Sequence, residues 1–288
     1  MENSMNNKTD ILIAGGDMRQ LFCAERLADR FAVAVTGFDD ELVPDVIPTA
    51  DSGRKYSCLV LPVPPLNDDG LVNTPCFSGS ISAEETAGML QKGAVVLTGR
   101  KDTRLSELFP DHEIISYSDR EDFQLCNAVP TAEGAIRLAL EELPVTLSGL
   151  PVLIVGMGRI GTALTEILKG FGADITVAVR SRKAAANVQL HGVRPVRMKD
   201  FNSDYALVLN TAPELVFDRE MLTKSGSNTL FIDLASRPGG IDFEAAADLG
   251  RKAVWALGLP GKSCPVSAGE IVAETVAGIL AERGEFNE

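Results

Sequence analysis

The chain has few of the residues that mark disulfide-rich, metal-binding or hydrolytic proteins. Its 288 residues include five cysteines, two histidines, one tryptophan and three tyrosines. The cysteines are odd in number, widely scattered and without CxxC spacing, a pattern typical of reduced thiols that offers no zinc site. His112 and His191 lie outside the loops in which we expect chemistry, so we interpret both as structural or surface residues. No Ser/His/Asp, Cys/His or metal-ligand arrangement is visible, and we expect no bound metal.

Long apolar segments and an excess of basic charge are also absent. Residues 1–8 are polar and lack the apolar core of a signal peptide, and no later run is long enough to span a bilayer. The formal net charge of −13 argues against nucleic-acid binding, because a phosphate backbone requires a basic surface. With 45% hydrophobic and 23% charged residues, the composition is that of an ordinary globular protein. We expect a cytoplasmic protein that binds neither membranes nor nucleic acids.

The centre of the chain carries a glycine-rich turn between a strand and a helix. Residues 151–155 form the apolar run that a buried parallel strand needs, and residues 162–171 have helical apolar spacing. The glycines between them have the spacing of the dinucleotide fingerprint, which needs a tight turn, backbone approach to a pyrophosphate and close helix–strand packing. A merely tight turn is the alternative. The candidate cofactor-binding residues here are Gly156, Gly158, Arg159, Ile160 and Gly161.

The residues after the next strand indicate which dinucleotide is bound. The strand predicted at 174–179 ends where NAD-binding domains offer an Asp or Glu to the ribose. This chain offers Arg180, Ser181 and Arg182 instead. Guanidinium groups bind phosphate through paired, charge-assisted hydrogen bonds, so this turn favours the 2′-phosphate of NADP. The alternative is a solvated basic turn.

The N-terminal part looks like a second, incomplete unit of the same kind. Strands are predicted at 10–14 and 32–36, with a helix at about 18–31 between them. Only Gly15 and Gly16 of a fingerprint are present, and Arg19 stands where a third glycine would be expected. We therefore favour a flavodoxin-like substrate domain over a second nucleotide site.

Strand and helix signals alternate through the rest of the chain, which is typical of parallel α/β sheets. Further strands are predicted at 58–62, 94–98, 113–117, 194–197, 205–209, 229–233 and 253–257. Further helices are predicted at 82–90 with Ser82 as the N-cap and Glu85 as its capping-box partner, at about 103–108, at 131–142 with Thr131 as a cap, and at about 268–283.

Together these elements predict an α/β protein of two Rossmann-like, doubly wound parallel-sheet domains separated by a cleft. The substrate domain is expected at 1–128, completed by 266–288, because the C-terminal helix should pack back on the N-terminal domain. The NADP-binding Rossmann domain is expected at 129–265, with 131–142 as the linking helix.

Three loops at the carboxyl ends of the later strands are candidates for chemistry. By fold logic, residues 210–213 flank the nicotinamide, although a plain strand-to-helix turn is the alternative. In the loop at 233–240, Arg237 could orient a carboxylate by bidentate hydrogen bonding. In the loop at 258–265, Lys262 could contact an anion or donate a proton, and a solvated lysine is the alternative. The remaining candidate cofactor residues in these loops are Thr211, Ala212, Pro213, Leu234 and Ala235.

Several specific motifs stand along the chain. They are GGDMRQ at 15–20, PTAEG at 130–134, GMGRIG at 156–161, DLASRPGG at 233–240 with Asp242-Phe243, and GLPG at 258–261 with Pro265 and Ala268-Gly269. In this order they resemble one known family, the A subunit of dipicolinate synthase from spore-forming bacteria. The resemblance covers almost the whole chain, and the blocks at 233–240 and 258–261 are more specific than the glycine fingerprint.

The resemblance implies a reaction. The family oxidises dihydrodipicolinate, or its 4-hydroxy-tetrahydro precursor, to pyridine-2,6-dicarboxylate with NADP, beside a flavoprotein-like B subunit in the mother cell during sporulation. Two substrate carboxylates call for cationic or N–H-rich contacts. On this basis the candidate substrate-binding residues are Arg19, Ser78, Arg237 and Gly239, and the candidate catalytic residues are Lys262, Thr131 and Ser236.

Two alternative functions stay open. The chain could be another two-domain NADP-dependent dehydrogenase that acts on a different oxo or imino acid. It could instead be a cofactor-binding subunit that is inactive without its partner. We also expect self-association.

Overall fold

The protein is described by a computed structural model that covers residues 9–198, 200 and 204–284. The segment 1–8, interpreted above as lacking a signal peptide, lies outside the described residues. The chain divides into two compact units. The first contains the described residues up to Cys126 and those from Pro265 onward, and the second is Asn127–Cys264.

The first unit is built on a five-stranded parallel sheet. Its strand order, β2-β1-β3-β4-β5, is that of flavodoxin-like folds, so the predicted class of this unit is confirmed. Strand β4 is longer than predicted and begins directly after the helix before it. The strands are β1 Asp10–Ala14, β2 Ala32–Thr36, β3 Tyr56–Val60, β4 Leu90–Thr98 and β5 Glu113–Ser116.

Helices of the first unit cover the sheet and include the C-terminal helix. The predicted capping box is present: Ser82 and Glu85 exchange side-chain-to-backbone hydrogen bonds at the start of α2. The C-terminal helix packs on α1, as predicted, and a Cβ at Gly269 would lie 2.6 Å from the Arg19 carbonyl oxygen. The helices are α1 Met18–Ala28, α2 Ala83–Gly88, α3 Leu105–Leu108 and α10 Pro265–Glu282.

Helix α4, Glu121–Glu142, crosses the boundary between the two units without a break. The prediction that Thr131 caps a helix of residues 131–142 was therefore wrong. Thr131 lies inside α4, and its hydroxyl donates to the Asn127 carbonyl at 2.7 Å. Thr131 was predicted as the cap because threonine is a favoured N-cap residue, and proline, as at Pro130, lacks an N–H and disfavours helix interiors. The helix persists because residues on both sides of the proline, such as Ala128 and Ala132, are buried.

The second unit is built on a six-stranded parallel sheet. Its order, β11-β10-β9-β6-β7-β8, is that of dinucleotide-binding Rossmann domains, as predicted. Strand β6 is in the middle and pairs with β7 and β9. The strands are β6 Pro151–Val155, β7 Asp174–Val179, β8 Arg194–Arg197, β9 Leu207–Asn210, β10 Leu230–Asp233 and β11 Lys252–Trp255.

The helices of the second unit include two departures from prediction. Helix α5 begins at Arg159, three residues before the predicted start, so the glycine turn is shorter than expected. The segment predicted as a loop at 258–265 contains helix α9, because Gly258 has φ +70° and Pro260 occupies its first turn. In the described ranges, no helix is both long enough and apolar enough to cross a membrane. The helices are α5 Arg159–Gly170, α6 Arg182–Leu190, α7 Arg219–Lys224, α8 Phe243–Asp248 and α9 Leu259–Ser263.

Candidate active site

Two glycines of the fingerprint are required by the packing of the protein itself. Gly156 follows β6 with φ +96°, and a Cβ there would lie 2.6 Å from Thr211 Oγ1. A Cβ at Gly161 would lie 2.2 Å from the Gly156 carbonyl oxygen, so α5 approaches the turn too closely for any side chain. These positions fix the tight turn and the helix–strand contact.

The middle glycine has no such structural reason. Gly158 has φ −87°, which any residue adopts, and a Cβ there would meet nothing within 4 Å. No side chain caps the first turn of α5, where backbone N–H groups point out of the helix. Open space in front of an uncapped helix start fits a diphosphate, which binds to such N–H groups.

A cavity of about 420 Å³ lies beyond the end of β7, at the position of the adenosine ribose. It is lined by Arg180, Ser181 and Arg182 and, from the end of β8, by Arg197, and no acidic residue is among the described residues that line it. Arg197 was not among the residues predicted to bind the cofactor. The signal was available, since this residue ends the strand that neighbours β7 in a Rossmann sheet.

The polar groups around this cavity differ in whether they already have a partner within the protein. The Ser181 hydroxyl accepts a hydrogen bond from Ala184 N at 3.1 Å and so caps α6. Arg180 forms an ion pair with Glu214, a second residue that the sequence analysis missed. Arg182 and Arg197 have no acidic partner in the described part of the chain, and both are exposed. The donor set therefore fits the 2′-phosphate that the basic turn predicts.

Asn210 and Asp233 form a buried pair at the ends of neighbouring strands. Asn210 Nδ2 donates to Asp233 Oδ1 at 2.7 Å, and both residues are fully buried. Asp233 also accepts hydrogen bonds from the backbone N–H groups of Ala235 at 3.1 Å and Gly240 at 2.7 Å. The Asn210 side chain pairs with the backbone of Ala212. The pair thereby shapes both loops that follow β9 and β10.

Within these loops, most of the candidate cofactor residues act as backbone or packing groups. Thr211 Oγ1 donates to the Val155 carbonyl at 2.7 Å, which ties the loop to the glycine turn. Ala212, Leu234 and Ala235 are buried, whereas Pro213 is exposed. Each of them follows the carboxyl end of a central parallel strand, the edge at which ligands bind in such sheets.

The loop after β10 presents Ser236 and Arg237 to solvent. Arg237 has no acidic partner among the residues that the structure describes, and its guanidinium carbon lies 5.6 Å from the centroid of the Trp255 ring. Gly239 has φ +83°, and a Cβ there would lie 2.8 Å from Asp233 Oδ2. Since the Gly239 N–H donates to the Ser236 carbonyl at 2.9 Å, Gly239 shapes the loop and its N–H has an internal partner.

The other candidate catalytic residues of this unit are less well placed. Thr131 is 8% exposed, and its hydroxyl proton is used within α4. Lys262 is exposed on α9, and its ammonium group has no carboxylate partner in the described ranges. His191 Nδ1 contacts Glu166 at 2.8 Å and, in the first unit, His112 Nδ1 contacts the Ala94 carbonyl at 3.0 Å.

In the first unit, both candidate substrate residues are engaged by aspartates. Asp17 receives hydrogen bonds from Arg19 Nε at 2.8 Å and Nη2 at 2.8 Å, and this pair leaves both N–H groups of Nη1 and one of Nη2 as further donors. Burial lowers the pKa of Arg19, but the hydrogen bonds and charge of Asp17 outweigh it, so the pKa is raised. Ser78 donates to Asp39 through its N–H at 2.9 Å and its hydroxyl at 2.7 Å, which lowers the pKa of Asp39.

Comparison with known proteins identifies both parts of the chain. Residues 10–118 match the family model for the N-terminal domain of the dipicolinate synthase A subunit. Residues 131–249 match the model described as D-isomer specific 2-hydroxyacid dehydrogenase, NAD binding domain. The chain is 30% identical to the dipicolinate synthase A subunit of Bacillus subtilis (strain 168) over 289 residues, which covers 94% of this chain and 96% of that protein.

Solved structures give the same result. The crystal structure of the dipicolinate synthase A subunit from Bacillus halodurans has a TM-score of 0.87 at 29% identity and covers 95% of this chain and 98% of that one. Its counterpart from Bacillus subtilis has a TM-score of 0.85 at 28% identity, with coverage of 99% and 100%. The second unit is thus a nicotinamide-nucleotide-binding domain of an oxidoreductase, and the chain is a dehydrogenase-type subunit. It belongs to the family of dipicolinate synthase A subunits.

Proposed function

We propose that this chain oxidises dihydrodipicolinate, or its 4-hydroxy-tetrahydro precursor, to pyridine-2,6-dicarboxylate with NADP. The observation that carries the proposal is Arg237, an exposed cation without an acidic partner in the described chain, in the loop after a central strand of the nucleotide-binding sheet. In a protein of net charge −13, an unpaired guanidinium at that edge is suited to a carboxylate ligand.

The choice of NADP over NAD rests on the cavity beyond β7. Arg182 and Arg197 line it together with Ser181, and among the described lining residues none is acidic; the nearby Glu214 carboxylate pairs with Arg180. We expect Arg182→Ala and Arg197→Ala each to raise the KM for NADP about 10-fold or more, because each removes a charge-assisted contact. The KM for NAD should change little. Equal losses with both cofactors would contradict this assignment.

The substrate carries two carboxylates, and we assign one of them to Arg237. Among the residues of the first unit, Arg19 and Ser78 are our candidates for substrate binding. Asp17 holds one edge of the Arg19 guanidinium, so the direction of the remaining donors is set before substrate binds.

The chemistry asks little of the protein beyond binding and orientation. When bound, NADP would supply the hydride acceptor for the substrate ring, while one proton passes to a base and the 4-hydroxy-tetrahydro precursor also loses water. Aromatisation supplies the driving force, so the residues of the chain chiefly hold the ring in one orientation. We propose Lys262 or Ser236 for proton transfer. Thr131 is the weaker candidate for assisting loss of a 4-hydroxyl, because its own hydroxyl bonds to the Asn127 carbonyl.

We further propose that the chain self-associates and works with a flavoprotein-like B subunit, in the cytoplasm of the mother cell of a sporulating bacterium. The designation of the curated relative as one subunit of a synthase supports a partner. Two other functions are tested by the same assay: an NADP-dependent dehydrogenase of another oxo or imino acid, and a cofactor-binding subunit that is inactive by itself.

The test is turnover by the purified chain. Freshly made dihydrodipicolinate is supplied with NADP or NAD, and nicotinamide reduction and pyridine-2,6-dicarboxylate formation are followed together. Turnover with NADP is the expected result. Activity only after the B subunit is added would assign the chain to the shared-catalyst function. If there is no turnover of dihydrodipicolinate with or without the B subunit, and another oxo or imino acid is turned over in a substrate screen, the proposed substrate is wrong.

A variant pair links the reaction to Arg237. Arg237→Ala should raise the KM for the substrate about 10- to 100-fold, since one charge-assisted contact is lost. Arg219→Ala is the matched control, because it removes an exposed guanidinium of the same unit that pairs with Asp248. An unchanged KM in Arg237→Ala would remove the carboxylate assignment.

A further inference from the structure

The loop that carries Arg237 is held from two sides. Asp233 and Trp255 are register partners at the ends of β10 and β11. On one side, the Asp233 carboxylate accepts the N–H groups of Ala235 and Gly240. On the other, Trp255 Nε1 donates to the Ala235 carbonyl at 3.0 Å. The backbone just before Arg237 is therefore hydrogen-bonded to the side chains of both Asp233 and Trp255.

Trp255 also contacts the Arg237 side chain directly. The guanidinium carbon lies 5.6 Å from the ring centroid, within the range of cation–π attraction. The indole is held by Phe243, whose ring stacks on it with centroids 5.3 Å apart and an angle of 14°. A ring contact uses the face of the guanidinium and leaves the N–H edge available for a carboxylate.

Other arginines of the same unit are oriented differently. Arg180, Arg194 and Arg219 each pair with a carboxylate, which occupies their donors. Arg237 instead has an aromatic partner, and in the described ranges it has no acidic one. An aromatic platform orients a cation without competing with an anionic ligand for its hydrogen bonds.

We propose that Trp255 is a positioning residue for Arg237: it holds the guanidinium by its ring and the loop by its Nε1, so that Arg237 is preorganised for a substrate carboxylate. This inference rests on the proposed function, because it takes Arg237 as the carboxylate contact.

The test is a double-mutant cycle in the full chain, with NADP present and pyridine-2,6-dicarboxylate as the probe. The dissociation constant is measured by calorimetry for wild type, Trp255→Leu, Arg237→Ala and the double variant. We expect Trp255→Leu to weaken binding about 5- to 10-fold in the wild-type background, since a cation–π contact and a hydrogen bond are lost. In the Arg237→Ala background the same change should have almost no effect, because Trp255 acts through Arg237.

A conservative variant separates positioning from general structure. Trp255→Phe keeps an aromatic face and loses the Nε1 donor, so binding should be recovered at least halfway, on a logarithmic scale, from the Trp255→Leu level. In turnover assays, the KM for the substrate should rise while kcat changes less than about 2-fold, as for a lost binding contact. Thermal unfolding of each variant shows whether it is folded.

The outcomes distinguish this inference from the proposed function. If Arg237→Ala weakens binding and Trp255→Leu does not, the positioning role is wrong and the carboxylate contact stands. Equal effects of Trp255→Leu in both backgrounds would also overturn the positioning role. If Arg237→Ala does not weaken binding, both the carboxylate contact of Arg237 and the positioning role of Trp255 are wrong.

Intrinsic fluorescence gives a measurement on the unmodified chain. Trp255 is the single tryptophan, so indole emission reports on this site alone. We expect saturation with pyridine-2,6-dicarboxylate to change that emission, and Arg237→Ala to abolish the change. Unaltered emission in the wild type, at ligand concentrations at which calorimetry shows saturation, would contradict the proposal.

Discussion

The carboxylate of Asp233 accepts a 2.7 Å hydrogen bond from the side-chain amide of Asn210, and neither side chain has exposed surface. Because these residues end neighbouring strands β9 and β10, the bond joins the two loops that follow. The remaining bonds to Asp233 come from the N–H groups of Ala235 and Gly240, so neutral donors surround a buried acid. Buried polar groups in such a network are strongly coupled.

This network should contribute measurably to stability. Asp233→Ala leaves one N–H of the Asn210 amide and two backbone N–H groups without an acceptor, while the other amide N–H keeps the Ala212 carbonyl. We expect a loss of about 3 kcal/mol in the free energy of unfolding, measured in denaturant, because buried donors then lack partners. Asp248→Ala, at an exposed aspartate of the same unit, is the control and should change it by less than about 1 kcal/mol. Similar losses in the two variants would show that burial of Asp233 is energetically unimportant.

Replacement of the fingerprint glycines by alanine should affect stability at one position and cofactor binding at another. Gly161→Ala should lower stability by about 3 kcal/mol or more, since its Cβ would lie 2.2 Å from a backbone oxygen. Gly158→Ala should lower stability by less than about 1 kcal/mol, because φ is −87° and the space is open, and the only loss is that alanine is a poorer N-cap residue than glycine.

The same Gly158→Ala variant should bind NADP about 10-fold or more weakly, since the methyl group fills space that a diphosphate needs. Thermal unfolding and cofactor titration of both variants provide the check. A Gly158→Ala protein with wild-type affinity would place the diphosphate elsewhere.

Glu214 should weaken NADP binding by holding Arg180. In Glu214→Gln the ion pair is lost and the Arg180 guanidinium becomes available to a phosphate. We expect the dissociation constant for NADP to fall about 2- to 5-fold at low salt, the size of an exposed charge effect. Added salt should reduce the difference. Glu220→Gln, at an exposed glutamate paired with Lys224, is the matched control. An unchanged NADP affinity in Glu214→Gln would mean that Arg180 does not contact the cofactor.

Acid should weaken the attachment of α10 to the rest of the first unit. Hydrogen bonds from Arg30 lower the pKa of Glu274 below its ordinary 4.5, and those from Arg120 lower the pKa of Glu282. A lowered pKa means that each carboxylate stabilises the fold at pH values above 4.5 and that this contribution is lost as the pH falls through the folded-state pKa. We therefore expect amide hydrogen exchange in α10 to increase, relative to other helices, as the pH falls below 4.5.

A matched pair of variants tests the cause. Glu274→Gln removes a titrating carboxylate that joins α10 to Arg30, so the acid-induced change in protection should become smaller. Glu270→Gln changes an exposed glutamate of the same helix and should leave the change as in wild type. The same pH dependence in wild type and Glu274→Gln would exclude this ion pair as the cause.

Much of the architecture could be predicted because its signals are local. An apolar run before glycines, the Ser82 capping pattern and alternating strands and helices each depend on residues close in sequence. The fold class and the packing of the C-terminal helix on the first unit are confirmed. Local signals also gave two wrong predictions. Thr131, a favoured capping residue, was expected to begin a helix that in fact starts at Glu121, and the segment 258–265 was expected to be a loop where α9 forms.

The sequence by itself determined the family, the two parallel sheets and the basic turn after β7, because each of these features depends on the types of residues that stand close together in the chain. Only the tertiary structure decided which side chains are available at the candidate site. In the structure, Arg180 forms an ion pair with Glu214, Arg197 lines the cavity beyond β7, and the guanidinium of Arg237 contacts the ring of Trp255. These partners come from different strands and loops that are distant in the chain. Parallel sheets bring the carboxyl ends of such strands together, and no local pattern records which side chains then meet.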